Sequence, residues 1–216
     1  MTPYPGARAH GAVAALLLSA CAALAPPALA YDRNDPDWPC PQRRVPMLSA
    51  SQLWDGPSID GVTGWDKDAT LRKLIGKLAS RRVPQDEAIA ALKDYAKSVP
   101  DAERTAKLTQ LFAGLLALVN QERAAVIAGI VRFEQRQRDR SRELEREGTR
   151  ISELKPKAET DAKVKAELDN AQQLFDWNVR VFQERQGSTA IACEIPVLME
   201  SRIFEIAREI RTLIPG

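Results

Sequence analysis

Histidine, the residue that most often serves as a general base or metal ligand, occurs only once in this 216-residue chain, as His10. It lies in a stretch typical of a secretory signal, with Arg8 before the apolar residues 12–25 and an Ala-Leu-Ala cleavage pattern at residues 28–30. Cleavage there leaves a mature chain that begins at Tyr31 and contains no histidine. Nucleophiles activated by histidine are therefore excluded, and we expect a protein that is not an enzyme.

The sequence also lacks a C-x-x-C-H haem motif, a C-x-x-C redox pair and a Gly-rich phosphate loop, so we expect neither a cofactor nor a metal. The remaining candidate for site chemistry is Glu122, which interrupts an apolar helical stripe on the side of Val119 and Val126. A carboxylate buried there needs a cation, and three arginines are candidates: Arg123, Arg180 and Arg202. Glu122 with one of these arginines predicts a buried ion pair that fixes the helix register. The alternative is a carboxylate that binds a ligand or acts in acid–base catalysis, as in glycoside hydrolysis.

Arginine is concentrated in the stretch from residue 132 to residue 150, where seven arginines alternate with five acidic residues. One interpretation is a solvated helical surface laced with ion pairs. The other is a docking surface for an anionic partner, either an acidic patch on a protein or an anionic membrane surface. The candidate partner-binding residues are Arg132, Arg136, Arg138, Arg140, Arg142 and Arg146.

The mature chain keeps two cysteines, Cys40 and Cys193. An even pair in an exported protein predicts one disulfide, which would join the two ends of the mature chain. The third cysteine, Cys21, follows Leu-Ser-Ala, a pattern that also precedes lipidated cysteines in bacterial lipoproteins. Ordinary cleavage is favoured, because the apolar stretch continues past Cys21 to a Pro-Pro break.

Charge and hydropathy limit the location and the partners of the protein. The mature chain has 30 basic and 29 acidic residues, so no basic surface indicates nucleic-acid binding. Its longest apolar run, from Leu111 to Val119, is too short to cross a bilayer, so we expect no transmembrane segment in the mature chain. The sequence therefore predicts a periplasmic or secreted protein.

Helical periodicity dominates, and no segment alternates apolar and polar residues for long enough to predict a strand. The proline-rich residues 31–67 predict an extended arm and a loop. Asp66 or Asp68 then caps a helix, and Pro84 opens a second helix that Pro100 ends. The predicted fold class is all-α: a helical bundle with a long antiparallel hairpin and an extended N-terminal arm.

Three more helices are predicted after Pro100. The first is long and continues without a proline until Pro156, and the second ends at Gly187, which is placed as its C-terminal cap. The last helix starts near Pro196 and carries an apolar stripe to the end of the chain.

The first two of these helices predict the hairpin. A turn at residues 154–156 brings apolar residues together at each level, for example Phe133 opposite Phe175. Residues 134–168 form a thin tip that projects from one helical domain covering residues 31–216. The leading functional hypothesis is an exported accessory or adaptor subunit that binds another envelope or periplasmic protein through the hairpin. The alternatives are a small-ligand binder or enzyme around Glu122 and an anchored envelope lipoprotein.

Overall fold

The fold is given by a computed structural model that describes residue 35 and residues 37–215 of the chain. Five α-helices occupy this part, and it contains no β-strand, which confirms the all-α fold class. The predicted signal segment at residues 1–30, with its cleavage site and Cys21, lies outside the described residues.

The first three helices are short: α1 (Ala50–Leu53), α2 (Ala69–Ala79) and α3 (Gln85–Ser98). The side chain of Asp68 caps α2 by accepting the backbone N–H groups of residues 70 and 71, both at 3.0 Å. Pro84 precedes α3, and its carbonyl accepts the first backbone hydrogen bond of that helix. These starts agree with the sequence prediction.

Two very long helices follow, α4 (Asp101–Ala158, 58 residues) and α5 (Ala162–Thr212, 51 residues). At 1.5 Å per residue they extend about 87 Å and about 77 Å, and they form the predicted antiparallel hairpin. The body of the protein consists of α1, α2 and α3 packed on the open end of this hairpin.

The predicted break between two helices at Gly187 and Pro196 is wrong, because α5 is continuous through both residues. Proline has no N–H to donate within a helix, so it normally weakens or kinks one. Here two side chains from elsewhere in the chain bind the carbonyls around it. Gln42 donates to the carbonyl of Cys193 at 2.5 Å, and Arg123 donates to that of Pro196. The helix thus continues through a residue that normally ends one, at the place where the arm and Arg123 contact it.

The predicted turn is displaced as well. Helix α4 continues through Pro156 to Ala158, and the turn lies at residues 159–161. Asp161 caps α5 with its side chain, accepting the N–H of residue 163 at 2.8 Å. The hairpin register changes accordingly: Phe175 packs over Gly148 instead of lying opposite Phe133. The hairpin is therefore longer than predicted.

The core of the body forms around the apolar part of α4. Phe112 is fully buried and stacks on Trp54 with ring centroids 4.3 Å apart. At Gly114 an added Cβ would lie 2.5 Å from the side chain of Ile75 and 2.8 Å from that of Trp65, so glycine permits the close approach of α2. Helix α4 also contains an 18-residue window of mean hydropathy 1.4, which is long and apolar enough to cross a membrane. Half of this window is buried inside the protein. Core helices of soluble proteins pass the same test.

Candidate functional site

The arm, residues 37–48, is fixed on the hairpin by a small apolar cluster and a covalent bond. Cys40 and Cys193 form the predicted disulfide, with their Cα atoms 5.4 Å apart. Trp38 is only 2% exposed, and it packs with the bridge against Ile127 and Ile130 of α4. This cluster lies outside the body core and strengthens the hairpin some way along its length.

Polar contacts position the rest of the arm. The indole N–H of Trp38 donates to the carbonyl of Gln42 at 2.6 Å. Arg138 forms an ion pair with Asp37, and Gln135 donates to the same carboxylate at 2.7 Å. The hydrogen bond from Arg138, followed by that from Gln135, holds the pKa of the Asp37 carboxyl below its usual range. Arg138, predicted to bind a partner, therefore binds the protein's own arm.

Arg123 is the charged side chain that the hairpin buries, at 3% exposure. Its Nε donates to the carbonyl of Val45 at 2.9 Å, Nη1 donates to the carbonyl of Pro196, and Nη2 lies 3.4 Å from a carboxylate oxygen of Glu200. Burial lowers the pKa of the Arg123 guanidinium, and the Glu200 carboxylate acts in the opposite direction. One side chain thus connects the arm, α4 and α5.

The predicted constellation around Glu122 does not form. Glu122 is exposed, whereas Arg123 next to it is buried. Arg180 lies over the ring of Trp177 at 6.0 Å, and Arg202 donates to the carbonyl of Leu78 at 2.7 Å. The prediction failed because successive residues are rotated by about 100° around a helix. The buried face of α4 includes Arg123, which is the next residue after Glu122. The prediction that Glu122 points into the core with an arginine partner is therefore wrong.

Asn120 also binds the arm, although the sequence did not predict this role. Its side chain accepts the N–H of Leu48 at 2.8 Å and donates to the carbonyl of Leu48 at 3.0 Å, which fixes the end of the arm. The signal in the sequence was the polar segment at residues 120–123, which interrupts the apolar stripe. Two of its four residues point inward to bind the arm.

The six candidate arginines of α4 divide into two groups. Arg140 pairs with Glu143 and with Glu147, and Arg142 pairs with Asp139. Together with Arg138, these side chains have their charge neutralised within the chain. The other three are exposed and form no ion pair within the described part of the chain: Arg132, Arg136 and Arg146. We call these three the open arginines.

A groove of about 460 Å³ lies between α4 and α5, and Arg136 is the one open arginine that lines it. Its lining residues come from both helices: Phe133, Arg136, Gln137, Asp139, Arg140, Glu143 and Arg185. Gln137 is only 7% exposed, and its side-chain oxygen has no hydrogen-bond partner. Arg185 is exposed and, like Arg136, has no acidic partner among the described residues. The groove therefore offers two unpaired guanidinium groups and, from Gln137, one amide oxygen that lacks a hydrogen-bond donor.

The two unpaired guanidinium groups suit binding of a carboxylate-rich surface, because arginine forms bidentate contacts with carboxylates. Within residues 37–215 no group of three or more metal-ligating side chains comes together. Comparisons with models of protein families, with curated proteins and with solved structures gave no match to the chain. Function has to be inferred from the geometry itself.

Proposed function

We propose that this protein is an exported, non-enzymatic accessory or adaptor subunit whose hairpin binds an acidic surface on another envelope or periplasmic protein. The observation that carries the proposal is the set of open arginines, Arg132, Arg136 and Arg146. Their charges are not neutralised within the described chain, although five acidic residues lie in the same stretch. Unpaired charges on a projecting element steer association with a surface of opposite sign.

Export is supported by the disulfide and by the N-terminal pattern. Bridges of this kind persist in oxidising compartments and are rare in the cytosol. We expect the mass of the protein recovered from its native host to correspond to a chain that starts at Tyr31. A chain starting at a lipidated Cys21 would instead support the envelope lipoprotein, and a chain that retains Met1 would contradict export altogether.

Reversing the charge of the open arginines tests the binding surface. The triple substitution Arg132→Glu, Arg136→Glu and Arg146→Glu is expected to weaken capture of the native partner by about tenfold or more, because attraction becomes repulsion. Unfolding free energy should change by less than about 0.5 kcal/mol, since these exposed side chains form no internal ion pairs. Quantitative mass spectrometry of proteins captured from the native envelope, at two salt concentrations, measures the effect.

The matched control reverses three unpaired charges on the body: Lys73→Glu, Arg81→Glu and Arg82→Glu. It changes net charge equally, so partners held by general attraction would be lost from both variants. The proposed partner is lost from the hairpin variant, kept by the body variant and released as salt is raised. If every captured protein is retained by the hairpin variant, the open arginines are only a solvated surface. If binding is instead to vesicles containing anionic lipid, the partner is a membrane.

A further inference from the structure

Helix α5 carries a second apolar line on a side that the hairpin leaves exposed. Its members fall at alternating steps of three and four residues, with two polar positions at the centre. We call them the outer stripe: Leu174, Trp177, Val181, Ile191, Ile195 and Leu198. Four of them are largely exposed, at 56% for Leu174, 59% for Trp177, 68% for Ile191 and 55% for Leu198. The other two, Val181 and Ile195, are half-buried, and Ile195 also packs against the edge of the body core.

Single exposed apolar side chains are normal on a protein surface, but this spacing is that of a coiled-coil seam. Helix α4 packs on a different side of α5. The residues of α5 on that side are buried, among them Leu168, Cys193 and Pro196. The outer stripe spans residues 174–198, about 37 Å of helix. It is thus a seam of ordinary length that lacks its second helix.

We propose that the outer stripe binds the outer stripe of a second copy of this chain, antiparallel, about a twofold axis near Gln186. The order of the residues is self-complementary in this direction, as an isologous interface requires. Leu174 faces Leu198 of the second copy, and Trp177 faces Ile195. Val181 faces Ile191, and the two polar positions of each chain meet at the centre.

Charges flanking the outer stripe agree with the same register. Arg180 and Glu194 are both exposed, and neither forms an ion pair within the described residues. They occupy equivalent positions beside the seam, where antiparallel helices bring them together across the interface. The twofold axis produces this opposite-charge pair twice.

The centre of the seam also suits close approach. Gly187 occupies the flanking position nearest the axis, and the space around its Cα is open in the single chain. A helix–helix crossing at glycine lets two backbones come nearer than larger side chains allow. Glu184 and Arg185 both lie just before the axis, so each copy brings one charge of each sign to the centre of the interface. This proposal does not depend on the open arginines.

Sedimentation equilibrium of the purified protein tests the association. We expect twice the mass of one chain, and we expect the double variant Trp177→Glu, Ile191→Glu to sediment as a single chain with unchanged helix content. The matched control places two acids on an exposed line of α5 outside the outer stripe, Gln183→Glu and Ala190→Glu, and should remain a dimer. A monomeric parent protein, or a dimer that persists in the stripe variant, overturns the proposal.

Cysteine cross-linking tests the register. In an antiparallel pair, a cysteine at position 181 lies far from position 181 of the second copy and faces position 191 of that copy. The test therefore uses two variants, Val181→Cys and Ile191→Cys. Coexpression of the two variants should therefore give a cross-linked dimer, while each variant alone gives no more than the parent chain. A cross-link from Val181→Cys alone would show a parallel pair and would overturn the antiparallel interface.

Discussion

Removing the Cys40–Cys193 bridge by alanine substitution is expected to lower the free energy of unfolding by up to about 5 kcal/mol. The two cysteines are separated by 153 residues, so the bridge restricts most of the unfolded mature chain. The same substitutions remove the covalent link between the arm and α5 and leave the arm held by its hydrogen bonds, its ion pair and the packing of Trp38. Chemical denaturation of the parent and of the double variant, each with and without reductant, measures the difference.

The reductant supplies the internal control for this prediction. It should destabilise the parent chain to the level of the double variant and should leave the double variant unchanged. Because Cys40 is 1% exposed and Cys193 is 6% exposed, reduction should be slow until the arm opens. Equal stability of the oxidised parent and the variant would show that the bridge contributes nothing.

Replacing Arg123 with methionine should lower the free energy of unfolding by about 3 kcal/mol. Methionine retains much of the apolar stem but removes the guanidinium donor from the half-buried carbonyl of Val45 and from the buried carbonyl of Pro196. Arg123→Lys keeps the charge and should fall between the two, since one ammonium cannot reproduce the geometry of the guanidinium. Denaturant unfolding monitored by circular dichroism gives the order of stabilities.

Glu122 offers a control one residue away. Glu122→Gln removes a charge from an exposed position and should change stability by less than about 0.5 kcal/mol. Had the interpretation based on Val119 and Val126 been correct, this substitution would be the damaging one. If Glu122→Gln and Arg123→Met lowered the free energy of unfolding equally, the assignment of Arg123 as buried and Glu122 as exposed would be contradicted.

The sequence was sufficient for features that depend on local chemistry. Asp68 and Pro84 mark helix starts because capping and proline geometry act within one turn. The disulfide was predicted from the cysteine count and the expected compartment. In contrast, Gly187 and Pro196 misled the prediction, because local sequence carries no record of the contacts made around them, such as that of Gln42 from the arm.

The register of the hairpin was harder to predict because a repeating apolar pattern matches its partner at several offsets. Phe133 and Phe175 are compatible in one register, but the structure packs Phe175 over Gly148. Asp161 caps the start of α5, whereas the sequence prediction placed the turn at Pro156. The choice between Glu122 and Arg123 failed for a related reason, since both positions fit a step of three or four.

If the chain is exported as proposed, the position of the bridge also sets an order of events. A chain exported from its N-terminus delivers the thiol of Cys40 long before its partner, because the two cysteines are 153 positions apart. With Cys21 inside the predicted leader, the mature chain offers no third thiol with which a wrong bridge could form. Oxidation must then wait until α5 has been delivered past its midpoint, where Cys193 lies, and only then is the arm locked to the hairpin. On this proposal the protein forms one disulfide, and it forms after most of the chain has been exported.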